Sequence, residues 1–512
     1  MKRHTRLGVV LSASSVGLVS LAAYVLTLAP GLTWAHDSAD GGLLAASAYT
    51  LGISHPPGHP TYVLLAYPFA HLGLAWVAQG TNLFSAVCAA ATAALVCASV
   101  QLACLSSACA ASLGEDISLC LSGASAGLLF AFSPLSWSMA TVTEVHALSA
   151  LFSALLLVLA VRSTARRSMR RGHATAWAAA AGVLFGLALG THPTAVLTAG
   201  PLAVATTIAL ARAARAPIVA VVAAAGLGVG LSVYLLLPLR AAASPPINWG
   251  DPRTLQRFWH VLTGASYRAY IFGLPAAFIP ARVAGSASLL VRQVTPVGLL
   301  FAVAGALYGT GRDNRAVTAA AAIAVVSVYV FAIGYNTADS YQYLLASLPL
   351  LVHWAGLGLC ATSVGFGRIK GRTARSLALL PAASLAGVLA LGVVRYQGQN
   401  LRGEHSAFAF AEATLGAAPP DAVVITGRDA HTFALWYCQV AQGWRRDVVV
   451  VDAGLLGEAW YNETVADQLG LHADAVEALL GSESVPRDLL GRPVCRVTGG
   501  GEIPRFGLDC AG

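Results

Sequence analysis

Apolar positions in this chain run together in blocks of about twenty, separated by short polar stretches. A helix that crosses a bilayer needs ~20 consecutive, predominantly apolar residues. The blocks predict about 11 such helices: 8–30, 82–105, 117–136, 142–162, 174–191, 194–212, 216–238, 285–308, 316–334, 342–363 and 376–395. The first, from Leu7 to about Pro30, is too long for a secretory-signal core and reads as an uncleaved span. Beyond about Arg395 the pattern changes. "DAVVITGRDAHTFALWYCQVAQGWRRDVVVVD", residues 421–452, reads as strand, short helix and strand, and such a crossover implies parallel pairing. The expected fold is mainly α, a polytopic membrane protein, with a membrane domain over 1–395 and a small extracytoplasmic α/β domain over 396–512.

Orientation turns on "TYVLLAYPFAHLGLAWVAQG", Thr61 to Gly80, which follows the rigid turn "HPPGHP". If it crosses, the basic runs Arg162–His173 and Gly367–Arg375 fall outside the cell. If it does not, both are cytoplasmic, as the positive-inside rule prefers. Taken as non-crossing, it puts the N-terminus in the cytoplasm and the tail outside. A first outer loop, 31–81, and a large outer loop, 240–284, then share the tail's side.

Composition agrees with the pattern. Of 512 residues 57% are hydrophobic and 11% charged, against about a quarter charged in soluble domains. The net charge of +8 has a topological origin in the cytoplasmic loops, and no basic surface interleaved with aromatics points to nucleic acid. Nine cysteines show no metal spacing; five (Cys88, Cys97, Cys104, Cys109, Cys120) fall in or near apolar helices. Cys495 and Cys510 are free to pair if the tail is extracytoplasmic, which leaves Cys438 over.

Against so apolar a background the polar clusters carry the chemistry. "WAHDSADGG" puts His36, Asp37 and Asp40 after the first span. Asp40 is either the cap of a short interfacial helix, "LLAASAYTLGI", or a general base. His55 and His59 of "HPPGHP" are spectators or phosphate contacts. "TEVHAL" brings Glu144 and His146 to the mouth of a span, where an ionisable group is a functional candidate by default. His192 of "GTHPTAV" stands at another helix junction. The large loop combines Arg240, Trp249, Asp251, Arg253 and Arg257, with Asp251 also a plausible helix cap; arginine on the outer side suggests phosphate binding. "GYNTADSYQYLL" adds Tyr335 and Asp339. No closed ligand set for a metal emerges, although a divalent cation is compatible with such chemistry.

Together "DGGLLAASAYTLGISHPPGHPTYVLL", "TEVHAL", "INWGDP", "YNTADSYQYLL" and "DAHTFALWY" resemble a bacterial multi-spanning family of formerly unknown function. It is similar to the eukaryotic transmembrane protein O-mannosyltransferase. The resemblance implies a GT-C-type glycosyltransferase fold in the cell (inner) membrane. It implies a polyprenyl-phosphate sugar donor, a protein or glycan acceptor, and inverting transfer on the extracytoplasmic face. The family's loop acid maps onto Asp40, with Asp37 as the alternative. Where relatives carry Asp-Ser-Gly-Glu or Asp-Gly-Gly-Glu, this chain has Leu43. Glu144, His192 and Asp339 would orient substrates, and Arg240, Arg253 or Arg257 would meet the leaving phosphate. A transporter or lipid-linked-sugar flippase, using the same acids as ion sites, is the competing class; it predicts ionisable groups near span centres and helices broken at the midplane.

Overall fold

The computed structural model describes residues 3–106, 113–164, 171–310, 315–369, 374–481, 488–489, 491–498 and 507–510. Cys109 and the middles of both basic runs lie outside the described residues. The first half of the chain comprises α1 (Arg3–Thr27), α2 (Gly41–Thr50), α3 (Pro60–Ala70), α4 (Val77–Ser106), α5 (Leu113–Ala131), α6 (Pro134–Ala140), α7 (His146–Thr164), α8 (Arg171–Thr191) and α9 (Ala195–Ala211). There follow α10 (Ala216–Leu231), α11 (Leu236–Ala242), α12 (Leu255–Leu262), α13 (Ile279–Val294), α14 (Pro296–Thr310), α15 (Arg315–Gly334), a 3-10 stretch Ser340–Ser347, α16 (Leu348–Ile369) and α17 (Ala374–Gln399).

Among the described residues eight helices are long and apolar enough to cross a membrane, and ten if each of two bent pairs is one span. The remaining block corresponds to α9, which at 17 residues is shorter than those helices, so eight to ten candidate spans stand against the eleven expected. This is a multi-span membrane protein. α3 has 11 residues, about 16 Å of helix, and is too short to cross.

Two predicted spans are not continuous. The block 117–136 bends by 63° between α5 and α6, and the block 285–308 turns by 90° between α13 and α14. Proline sets both breaks, because it lacks the N–H of the helix ladder and pushes the residue before it out of the α region. Ser133 is extended and its Oγ accepts from the Ser136 N–H, so a new helix starts at Pro134. Thr295, before Pro296, stands at φ 66°.

The tail contains α18 (Ser406–Ala417), β1 (Val423–Thr426), α19 (Asp429–Ala441), β2 (Val449–Asp452), α20 (Ala459–Leu469), α21 (Ala473–Leu480), β3 (Asp488–Leu489), β4 (Arg492–Thr498) and β5 (Gly507–Cys510). The sheet order is β2-β1-β4-β3, with β5 on β4. β1 runs parallel to β2, Val423 facing Val449, with α19 as the crossover. β4 and β5 are antiparallel, and their facing Cys495 and Cys510 form a disulfide.

The small helix α2 joins the two parts. It is not the interfacial helix expected: residues 41–48 are all buried, so it has no wet face. Gly42 makes this enclosure feasible, since a Cβ there would stand 2.3 Å from the Phe433 carbonyl oxygen of α19. Leu43 and Ala46 pack with Phe433, Trp249 and Tyr234, while Ala45 packs with Ala434, Leu435 and Tyr437. The Trp34 indole N–H donates to the Ala430 carbonyl, and the Ala78 N–H donates to the Tyr437 hydroxyl. The start of α2 is thereby held against the first turns of α19.

Candidate active site

Asp40 occupies the N-cap position of α2, but its carboxylate makes no capping hydrogen bond. It opens into a recess, with 36% of the side chain exposed and Oδ2 3.7 Å from His55 Nε2. Asp37, three residues earlier, is committed elsewhere. The Tyr341 hydroxyl donates to its Oδ2 at 2.6 Å, and the Gln342 amide donates to its carbonyl. The surroundings of the two aspartates thus differ: Asp37 is hydrogen-bonded to Tyr341, whereas Asp40 makes no capping bond.

Seven rings close a collar at this recess. His55 meets His59 at 4.9 Å between centroids, His59 meets His192 at 5.7 Å, and His192 meets Tyr343 at 5.1 Å. Tyr343 continues to Tyr335 at 5.6 Å, Tyr335 to Tyr270 at 6.1 Å, Tyr270 to Tyr267 at 6.3 Å, and Tyr267 back to His55 at 6.3 Å. Four regions far apart in sequence supply them: His55 and His59, His192, Tyr267 and Tyr270, and Tyr335 and Tyr343. Pro60 is a local cause: a residue before proline is driven from the right-handed helical region, and His59 stands at φ 43°. His146 packs on both His192 and Tyr343. Trp249 packs against His55, Phe433 and Trp460, which ties the collar to the tail.

The charge in the recess is negative. Burial, then the Asp339 carboxylate, pushes Asp40 up to about 7. Glu144, 4% exposed, is raised well above the ordinary carboxylate range by burial, then by Asp40 and Asp339. Asp429, the first residue of α19, is raised to about 6 by burial, then by Asp452 and Asp40. The imidazoles are neutral at pH 7: burial presses His55 down to about 4, His59 to about 3 and His192 well below its usual range. Among the described residues, no three or more His, Cys, Asp or Glu side chains converge as a cation site.

Other predicted site residues do different work. His36 is held at φ 60°, and burial lowers its basicity. The three arginines assigned to a leaving phosphate are engaged in holding structure. Arg240 donates to the Thr50 and Leu51 carbonyls, ending α2. Arg253 donates to the Ala241 carbonyl and the Ser244 hydroxyl and pairs with Asp251. Arg257 bridges Asp251 and both carboxylate oxygens of Glu463 on α20. Nor does Asp251 cap a helix: Thr254 caps α12, its Oγ1 accepting from the Arg257 N–H. Asp339 precedes the 3-10 stretch without a side-chain cap bond.

Sequence reasoning took Tyr267 and Tyr343 for interfacial aromatics, missed Tyr270 and Asp429 as site residues, and left His59 undecided. The signals were present: His55 and His59 stand four apart across a proline turn, and Asp429 follows the carboxyl end of a parallel strand, where ligands gather in open α/β sheets. An open apolar groove of about 620 Å³ abuts the collar, lined by Leu197, Phe272, Ile323, Val326, Val330 and Phe331. Phe331 packs on both Tyr335 and Tyr343.

Comparison with known proteins finds two matched regions. Residues 40–216 match the family described as the Protein O-mannosyl-transferase TMEM260 N-terminal domain, and residues 407–481 match TMEM260-associated domain 2. The mouse Protein O-mannosyl-transferase TMEM260 is 26% identical, with 88% of this chain and 64% of that relative covered. This chain therefore spans less than two thirds of the length of that curated relative. Among solved structures, ArnT from Cupriavidus metallidurans bound to undecaprenyl phosphate has a similar fold, with TM-score 0.55 and 12% identity over 95% of this chain and 92% of that one. The family resemblance and the GT-C-like bundle expected from the sequence are both borne out.

Proposed function

We propose that this chain is a membrane glycosyltransferase of the O-mannosyltransferase type. It moves one sugar from a polyprenyl-phosphate donor to a hydroxyl of a protein or glycan on the extracytoplasmic face. The observation that carries this reading is Asp40: an uncommitted carboxylate of raised basicity, beside a closed collar of aromatic and imidazole rings. Rings and carboxylates are what a sugar offers partners for, since its C–H faces pack on rings and its hydroxyls donate to acids.

Asp40 takes the proton of the acceptor hydroxyl as that oxygen attacks the anomeric carbon in line. The bond from the anomeric carbon to the phosphate oxygen breaks, and its electron pair leaves with the polyprenyl phosphate. One displacement inverts the centre, and no carboxylate bonds to the sugar, unlike a retaining double displacement. Glu144, His192, Tyr335 and Asp339 orient donor and acceptor. The groove ending at Phe331 suits the lipid's first isoprene units. Two relationships support the donor class: the family matches, and the fold shared with an ArnT bound to undecaprenyl phosphate. The packing of α19 on α2 supports a tail that shares the end of the molecule where Asp40 lies, and the basic runs favour an outer location for that end.

The transporter reading is supported by the two broken spans, but Asp40, Glu144 and Asp339 all lie at helix ends or in connections. The test is release of polyprenyl phosphate by purified protein supplied with polyprenyl-phosphate sugars, mannose first, and an acceptor. Wild type releases it and Asp40→Asn does not; a protein that moves intact donor across vesicles without releasing phosphate is a flippase instead.

A further inference from the structure

His59 is 1% exposed, and its two ring nitrogens face different partners. Nδ1 lies 2.6 Å from the Thr191 carbonyl oxygen, which only accepts, so Nδ1 carries the hydrogen. With the ring neutral, Nε2 is a lone pair. That lone pair faces His55 Nε2 at 3.3 Å, so the His55 hydrogen resides on Nε2. The same His55 nitrogen lies 3.7 Å from Asp40 Oδ2, beyond hydrogen-bond length. His55 Nδ1, buried and without a hydrogen-bond partner among the described residues, fits a bare lone pair. One N–H thus stands between two acceptors, nearer the neutral one.

We propose that His59 is a positioning residue: locked by Thr191, it draws the His55 N–H toward itself and so withholds it from Asp40. A donated N–H stabilises a carboxylate and weakens it as a base. Withholding that N–H keeps Asp40 able to accept the acceptor's proton. The backbone supports the geometry: Pro60 keeps His59, at φ 43°, out of the right-handed helical region, and Gly58 at φ 84° takes a conformation that side-chain-bearing residues rarely adopt. The other groups facing this set are His192 at the end of α8, His146 on α7, Glu144 before α7, Asp339 before the 3-10 stretch and Tyr343 within it, Tyr267 and Trp249 from the large loop, and Asp429 on α19. None of them accepts the His55 N–H in place of His59.

The inference rests on Asp40 being the base, and two variants separate the roles. His59→Asn keeps an N–H for the Thr191 carbonyl but removes the acceptor for His55. His59→Gln puts an amide oxygen near the Nε2 position and keeps that acceptor. In donor-release assays across pH, His59→Asn is expected to lower the acid-side midpoint of kcat/KM by at least about half a pH unit with a fall in kcat. His59→Gln keeps a midpoint near wild type. A purely structural role would lower activity in both variants without moving either midpoint, and that outcome overturns the proposal. A second arm needs no turnover: nitrogen-15 NMR of histidine-labelled wild type in lipid nanodiscs should show His59 protonated at Nδ1 and His55 at Nε2. The opposite tautomer at His59 overturns the proposal even if His59→Asn fails to fold. Absence of turnover with every donor, with the expected tautomers present, counts against the glycosyltransferase reading and leaves the histidine pair standing.

Discussion

At the scale of the residue, the sequence pointed to an acid after the first span, with Asp40 preferred through the family resemblance and Asp37 as the alternative. Asp37 and Asp40 are equivalent as letters. They become unequal because Tyr341, some three hundred positions later, donates to Asp37. Asp40→Asn is expected to lower transfer by about 10²–10⁴-fold, the usual range for loss of a general base. Asp37→Asn, which keeps an acceptor for the Tyr341 hydroxyl, should retain activity within about tenfold, as parallel assays of both variants would show. The pH dependence follows from the raised basicity of Asp40. Only the ionised carboxylate accepts a proton, so kcat/KM should be full above about pH 7 and fall as pH drops through it. Arg257 was a phosphate candidate on residue type alone; its guanidinium holds Asp251 and Glu463. Arg257→Ala should then leave donor KM within about threefold and cost at most about 1 kcal/mol of stability, since Glu463 is half exposed. A large rise in donor KM would return Arg257 to the phosphate.

At the scale of the element, apolar length was a good guide to spans and a poor one to their continuity. The block around Pro296 reads as one span because its composition is uniform, yet a single missing N–H turns it through 90°. The strand–helix–strand crossover of the tail was legible because β-branched runs and a short helix leave few alternatives. What sequence did not give was the burial of α2, which depends on Gly42 lying against the Phe433 carbonyl. Gly42→Ala is expected to destabilise the protein by about 1–3 kcal/mol and to reduce transfer, because α2 or α19 must shift and Asp40 moves with it. Gly416→Ala, where an added Cβ meets nothing within 4 Å, is the control. Thermal unfolding and donor release measured on both variants check this; equal behaviour would mean the seam does not position the site.

At the scale of the whole molecule, the GT-C-like bundle was legible and the site was legible only in part. Its acids and histidines were visible as departures from an apolar background. The collar was not, because it forms only when the stretches near residues 55, 192, 267 and 335–343 meet. The same fold places the tail's α19, with Asp429, beside the start of α2, so the described part of the tail stands at the same end as Asp40. The account as a whole stands on Asp40 acting as a base in sugar transfer. Polyprenyl-phosphate release by wild type and Asp40→Asn, both inserted and folded in nanodiscs with a mannose-linked donor and an acceptor, measures that most directly. Release by wild type and its loss in Asp40→Asn is the predicted result. Equal release by the two proteins would contradict it.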